Sequence, residues 1–359
     1  MGMDNAGGGT LSTAVIVLIA VILVFGCVYL ASAVIAPVVF AMFMIALMWP
    51  FQSRMQKHMP KGLALALSML VVAAVFLLFG WIVAWGFGRV TRWIIADAGR
   101  FQALYAMGVA WLEGHGVAVA GLWAEHFNVG WVVRAAQQVT GRFNTTLSFW
   151  IVVFVYVVLG LLEVDDAARK VAALKNQTAA GVLLRGSSET AARLRRYMGV
   201  RTVMSVMTGA LVWIFATAVG LPLAAEWGVM AFALNYIPFI GPLVATVFPT
   251  LFAMAQFQSW EAVLVVFVCL NLIQFLVGSY LEPRVAGSAL SMSPFLVLFS
   301  VFFWSYLWGI PGAFIGVPIS IAMLTFCAQH PSSRWFSDLL GAPPESAPRQ
   351  ETPSRGDAT

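Results

Sequence analysis

The sequence predicts an all-α polytopic integral membrane protein. Of its 359 residues, 61% are hydrophobic and only 10% are charged. A soluble domain carries about a quarter of its residues as charges. The mean hydropathy is +0.89. Apolar runs recur along the whole chain, at or above the roughly 20 residues that a helix needs to cross a bilayer. The short alternating segments of a transmembrane β-barrel are absent from the sequence.

The elements follow in order. The run 11–30, with "ASA" at 31–33, has the length of a secretory leader. Its leading stretch, however, holds Asp4 and no lysine or arginine, and the apolar sequence continues to Trp49. It therefore reads as a retained first span. A second span is expected over 32–50, with "ASAVIAP" around Pro37 as a tight turn, followed by the basic segment "FQSRMQKHMPKG" at 51–62. Further spans are expected near 63–87, 146–162, 202–220, 227–255, 262–281 and 294–327, giving about eight in one transmembrane domain over 1–330. Two of them, 227–255 and 294–327, are broken by proline and glycine. Residues 331–359, rich in Pro, Ser and charge, read as a disordered tail.

Two connections are long. In 89–145, Val90, Trp93, Ile94, Phe101, Leu104, Tyr105, Trp111 and Leu112 recur near helical spacing, while Arg89, Arg92, Asp97 and Arg100 avoid most of that stripe. This predicts an interfacial amphipathic helix. Residues 163–201 are the most charged part of the chain and form a second interfacial region. Basic residues mark cytoplasmic loops, so 51–62 and 163–201 are expected in the cytoplasm with both termini, and 282–293 on the opposite side. Arg89 and Arg92, just past the third span, run against this orientation. Segments 202–255 and 262–327 each pair a plain span with a broken one, the pattern of a transporter repeat. The net charge of +5 reflects these loops and anionic lipid head groups rather than nucleic acid.

The polar residues inside apolar sequence are the candidates for function. In "ALNYIPFIGPLVATVFP", 233–249, Pro238 removes a backbone donor and Gly241-Pro242 interrupts the helix again. Such a break survives in a membrane where protein or water satisfies the freed groups, and Asn235 stands one turn before it. It reads as carbonyls and half-helix ends facing a solute path, or as a packing kink. Asn271, Gln274, Gly278 and Glu282 share one helical face of the seventh span, for solute contact or for helix–helix hydrogen bonding. Glu282 and Arg284, isolated between apolar runs, are expected as a charged pair or cap at one mouth. Ser293-Pro294 signals a helix start, and Gly309, Pro311 and Gly312 break the last run into a kinked span or a re-entrant pair. The three cysteines form no metal pattern, and the four histidines all lie in loops. No cofactor is expected. No nucleotide-binding loop and no nucleophile–base or zinc motif is present, so the chain is read as neither an ATPase nor another enzyme.

Together, "LNYIPFIGP" (234–242), "LEPRVAG" (281–287), "LSMSPF" (290–295) and "WGIPGAFIGVP" (308–318) resemble the signature of the autoinducer-2 exporter family, or PerM-type permeases. Asn235, Ile237, Pro238, Gly241, Pro242, Glu282, Pro283, Gly287, Ser293, Pro294, Gly309, Pro311, Gly312 and Pro318 match its pattern position by position. "SALSMSP" departs from it, where a glycine often precedes the leucine. The resemblance implies an inner-membrane permease that moves a small solute, such as a signalling molecule, without its own ATPase, among lipids and as a homo-oligomer. Sodium/proton antiport is the alternative it implies. A non-transporting scaffold for lipids or partners is the reading from another class.

Overall fold

A computed structural model describes residues 6–97, 99–100, 110, 113–115, 143–257, 259–286 and 292–341. Helices account for nearly all of them: α1 (Ala6–Leu30), α2 (Ser32–Met55), α3 (Lys61–Ala96), α4 (Phe143–Ala172), α5 (Gln177–Val219), α6 (Ala224–Leu234) and α7 (Ile240–Phe257). Then come α8 (Trp260–Gln274), a π-helical stretch (Phe275–Leu281), α9 (Glu282–Ala286), α10 (Pro294–Gln329) and α11 (Arg334–Leu340). Among the described residues, seven helical segments are long and apolar enough to cross a membrane. The chain is an all-α polytopic membrane protein.

The expected turn near Pro37 lies instead at Ala31, the one residue between α1 and α2. The indole of Trp308 donates to the Val28 carbonyl just before it, at 3.3 Å. Pro37 sits inside α2. The third span runs on to Ala96, taking up the start of the expected interfacial region; most of 98–142 lies outside the described residues. The charged segment 163–201 is not a separate surface region. It extends α4 to Ala172 and forms the first half of α5, which at 43 residues is about 64 Å long, twice the thickness of a hydrocarbon core. Asn176 caps α5 by accepting from the Ala179 amide.

The two broken segments do not cross once. Each folds back on itself as a helical hairpin. In an unbroken helix Trp227 and Phe252 would stand about 37 Å apart, yet their rings meet at 5.2 Å. Ser300 and Ser320 would be about 30 Å apart, yet their hydroxyls lie 2.6 Å from each other. Gly309 makes the second turn at φ 65°, a left-handed conformation open to glycine. Just past each tip, a glycine lets the arms close: a methyl on Gly241 would sit 1.9 Å from the Leu234 carbonyl oxygen, and one on Gly312 would sit 1.9 Å from that of Trp304. The first arms, about 16 Å over Ala224–Leu234 and about 22 Å over 294–308, are shorter than a membrane's apolar core of about 30 Å.

The hairpins enter from opposite ends of α5. The first begins beyond the α5 C-terminus, and its tip reaches Ser205 and Thr202. The second has its base beside the charged half, where Gln329 donates to Glu189 at 2.5 Å. Between them α8 runs antiparallel to α5, so that Glu282 meets Arg201 while Val277 packs with Met204. The segments 202–257 and 260–329 are thus each a span plus a hairpin, in inverted orientation. Folding back reverses one expectation. Residues 282–286 and 292–293 lie at the same end as the charged half of α5, not opposite it. The tail is also ordered near its start: α11 packs Phe336 and Leu340 against the core, and the backbones of Met292 and Gly341 pair. Residues 342–359 lie outside the described residues.

Candidate functional site

One face of α5 carries a column of polar side chains through the apolar interior. Thr190, Tyr197, Arg201, Ser205 and Thr208 are all buried and recur at helical spacing. Buried polar groups are ordinarily hydrogen-bonded. Among the described residues, the Thr190 and Thr208 hydroxyls, the Tyr197 hydroxyl and the Arg201 Nε have no partner. Unpaired polar groups on one interior face of a membrane helix are costly as packing and suited to a solute or water.

Three other elements converge on this face. The first hairpin tip brings Asn235, buried, whose Nδ2 donates to the Ser205 hydroxyl at 3.2 Å, and Tyr236, whose hydroxyl lies 3.2 Å from that of Thr202. The second hairpin brings Phe314, stacked on the Tyr236 ring at 5.8 Å. The two hairpins therefore touch directly, beside the column. The π-helical turn brings Glu282, whose Oε1 accepts from Arg201 Nη1 at 2.6 Å. That pair is nearly sealed from solvent, with side chains 6% and 13% exposed.

Several expected site residues take other positions. Arg284 does not pair with Glu282; it is exposed and lies 4.0 Å over the Tyr280 ring. Asn271 is exposed and donates to its own helix at the Phe267 carbonyl. Gln274 is half-buried and Gly278 exposed, so the predicted polar face is not gathered into a site. The wider turn of residues 275–281 rotates Glu282 away from the phase that regular helical spacing gave it. Near Pro238 the carbonyls are not left free: Leu234 O accepts from Ile237 N, Ile237 O from Gly241 N, and Pro238 O from Ile240 N. Phe239 holds a positive φ of 62° to close that turn, a strain of about 1–3 kcal/mol. Pro238 and Gly241 are buried at the tip with Pro242 half-buried; Gly309 is exposed, Pro311 half-buried and Gly312 buried.

Sequence reasoning passed over Tyr197, Arg201, Ser205 and Thr208. Their spacing of four, four and three was readable, but charge density had assigned the region through 201 to the membrane surface. Arg89, expected just past the third span, lies inside α3 and pairs with Glu226 at 2.9 Å; the Glu226 side chain is only 5% exposed.

A family profile described as AI-2E family transporter matches residues 18–331. The chain belongs to the AI-2E transporter family. It is 25% identical over 313 residues to the AI-2 transport protein TqsA of Escherichia coli K12, covering 86% of this chain and 90% of that one. A Haemophilus influenzae relative is 24% identical over 332 residues, 90% of this chain and 94% of its own length. A Borreliella burgdorferi relative is 36% identical over 150 residues, 42% of this chain and 41% of its own; that match spans less than half of the relative. The AI-2E match takes in both hairpins, the α5 column and Glu282, and makes the chain a bacterial membrane transporter.

Proposed function

We propose that the chain is a secondary transporter that moves a small polar solute outward across the bacterial inner membrane, along the polar face of α5 and between the two hairpin tips. The observation that carries this reading is the Tyr236–Phe314 contact. It joins two hairpins that enter from opposite ends, so separating them opens the column toward one end or the other. The relation to TqsA makes AI-2, a signalling molecule, the first cargo to test. The Lys61–Asp165 pair groups the basic 51–62 segment with the charged end of α4, and the lysine and arginine bias supports a cytoplasmic place for that end. Lipids and further copies of the chain cover the exposed apolar side chains of α1, α3 and α8. Cation–proton exchange through Glu282 is less favoured, because Arg201 already neutralises that carboxylate.

The test joins the hairpins. In a background with Cys27, Cys269 and Cys327 replaced, Tyr236→Cys and Phe314→Cys are linked by a short cleavable bis-thiol reagent in proteoliposomes. AI-2 flux is expected to stop on linking and to return on cleavage. Flux that continues through the linked protein defeats the hairpin path.

A further inference from the structure

We infer that Arg201 is the recognition group for a solute bearing an oxyanion, a carboxylate or a phosphate, and that Glu282 occupies it in the resting protein. The inference rests on the transport path proposed above and names the class of cargo it takes.

The guanidinium is under-used. It offers five donors in a planar fork suited to a bidentate oxyanion. Among the described residues its only hydrogen bond runs from Nη1 to Glu282 Oε1, while the buried Nε has no partner. One turn earlier on the same face, the buried Tyr197 hydroxyl also has no partner among the described residues. Two unused donors and one singly bonded carboxylate therefore share a site.

A structural role accounts poorly for this pattern. Val200, Met204 and Val277 pack here as an apolar cluster, with Met207, Ile273 and Leu281 against it. An ion pair in such surroundings carries a large desolvation cost, and apolar side chains of similar volume commonly serve stability as well or better. A half-satisfied pair is worse still. A carboxylate that holds the place of an incoming oxyanion explains both the pair and its unfilled valences. Glu282 also follows directly on the π-helical turn, a distortion that recurs at functional sites. The neighbouring residues Thr202 and Ser205 bind the first hairpin tip, which sets Arg201 beside the proposed path.

Charge sets the rule of exchange. Arg201 and Glu282 together are neutral, and a second oxyanion beside them would leave the pocket with an unpaired negative charge. The solute oxygen therefore takes over the Arg201 N–H bond as the Glu282 carboxylate leaves it. Arg284, on Glu282's own short helix, is turned away over Tyr280 and does not alter this balance.

The two partners then have opposite effects, which a structural pair would not show. Binding of inorganic phosphate and of acetate, with glycerol as the neutral control, is measured by titration calorimetry on the protein in nanodiscs. Glu282→Gln removes the competitor and is expected to bind the anions about tenfold more tightly than the native chain. Arg201→Gln is expected to bind neither, and Tyr197→Phe to bind more weakly by a few-fold. If Arg201→Gln does not fold, Arg201→Lys keeps the charge without the fork and is expected to lose most of the binding. Glu282→Gln binding no more tightly than native, arginine variants that retain anion binding, or glycerol binding as well as the anions each overturn the inference. A hairpin cross-link that stops AI-2 flux in a protein with no anion binding removes this inference and leaves the transport reading standing. Anion binding without any effect of the cross-link does the reverse.

Discussion

The two hairpins share a plan and differ in where they are held. The C-terminal one is fixed along its length and at its base. Its span is the most covered of the apolar segments, 56% buried within the chain. Phe303, Trp304 and Trp308 pack among one another, Phe314 stacks on Phe40, and Gln329 ties the base to Glu189. The N-terminal hairpin is also packed along its arms, with Trp227 and Phe252 in a core beside Val90 and Val212 and with Glu226 paired to Arg89 at its base, but at its tip it meets α5 through two hydrogen bonds, from Asn235 and Tyr236. Net contributions of such bonds are about 1 kcal/mol each, whereas tight packing of a long arm sums many small contacts. The transport path proposed above makes the tip of the N-terminal hairpin, with its two polar contacts, the part to test as the moving one.

The largest effects come from the glycines that close the arms. Gly241→Ala and Gly312→Ala each place a methyl 1.9 Å from a backbone oxygen. Each is expected to destabilise by about 3 kcal/mol or more, read as lost monodisperse protein after purification. Gly312→Ala should be the worse of the two. Its clash is with Trp304, which packs against Phe303 and Trp308, while Leu234 lies at the end of a short arm beside a turn. Equal losses would mean that the two hairpins are held alike.

Next come the polar contacts. Asn235→Ala leaves the buried Ser205 hydroxyl without its bond to the tip, and Ser300→Ala leaves Ser320 without its partner inside the C-terminal hairpin. Each is expected to lower stability by about 1–2 kcal/mol, measured as thermal unfolding in detergent. Flux separates them. Asn235→Ala should change AI-2 flux per folded molecule several-fold, and Ser300→Ala should leave it unchanged. A Ser300→Ala variant that unfolds normally but transports poorly would make the C-terminal hairpin the moving part.

The same contrast explains what the sequence disclosed. Membrane class and both breaks were legible because apolar length, proline and glycine act locally. Ser293 caps α10 through the Leu296 amide as its Ser-Pro start foretold. The fold-back was not legible. A kink and a hairpin use the same residues, and the difference lies in whether the arms meet, which depends on Gly241 and Gly312 against carbonyls from the preceding arm. Misreading the fold-back then misplaced 282–286 and 292–293, since the first hairpin removes one crossing. The Arg201–Glu282 pair was hidden for a similar reason. Its members are 81 positions apart, and the π-helical turn alters the helical phase on which the pairing of Glu282 with neighbours on its own face had depended.

The smallest effect is expected outside both hairpins. Asn271 points away from the column, and its side chain bonds only to the Phe267 carbonyl one turn back. Replacing it by leucine removes a local bond and adds apolar surface at an exposed position facing lipid or a neighbouring copy. Stability should shift by no more than about 0.5 kcal/mol, and AI-2 flux should match the native chain. The paired measurement is against Asn235→Ala, which has the same residue type in the same kind of apolar sequence. If Asn271→Leu reduced flux as far as Asn235→Ala, the solute would run along the outer face of α8, and the α5 column with its two hairpins would no longer be the path. If flux holds, position relative to the hairpin tips, and not polarity within a span, decides which asparagine carries transport.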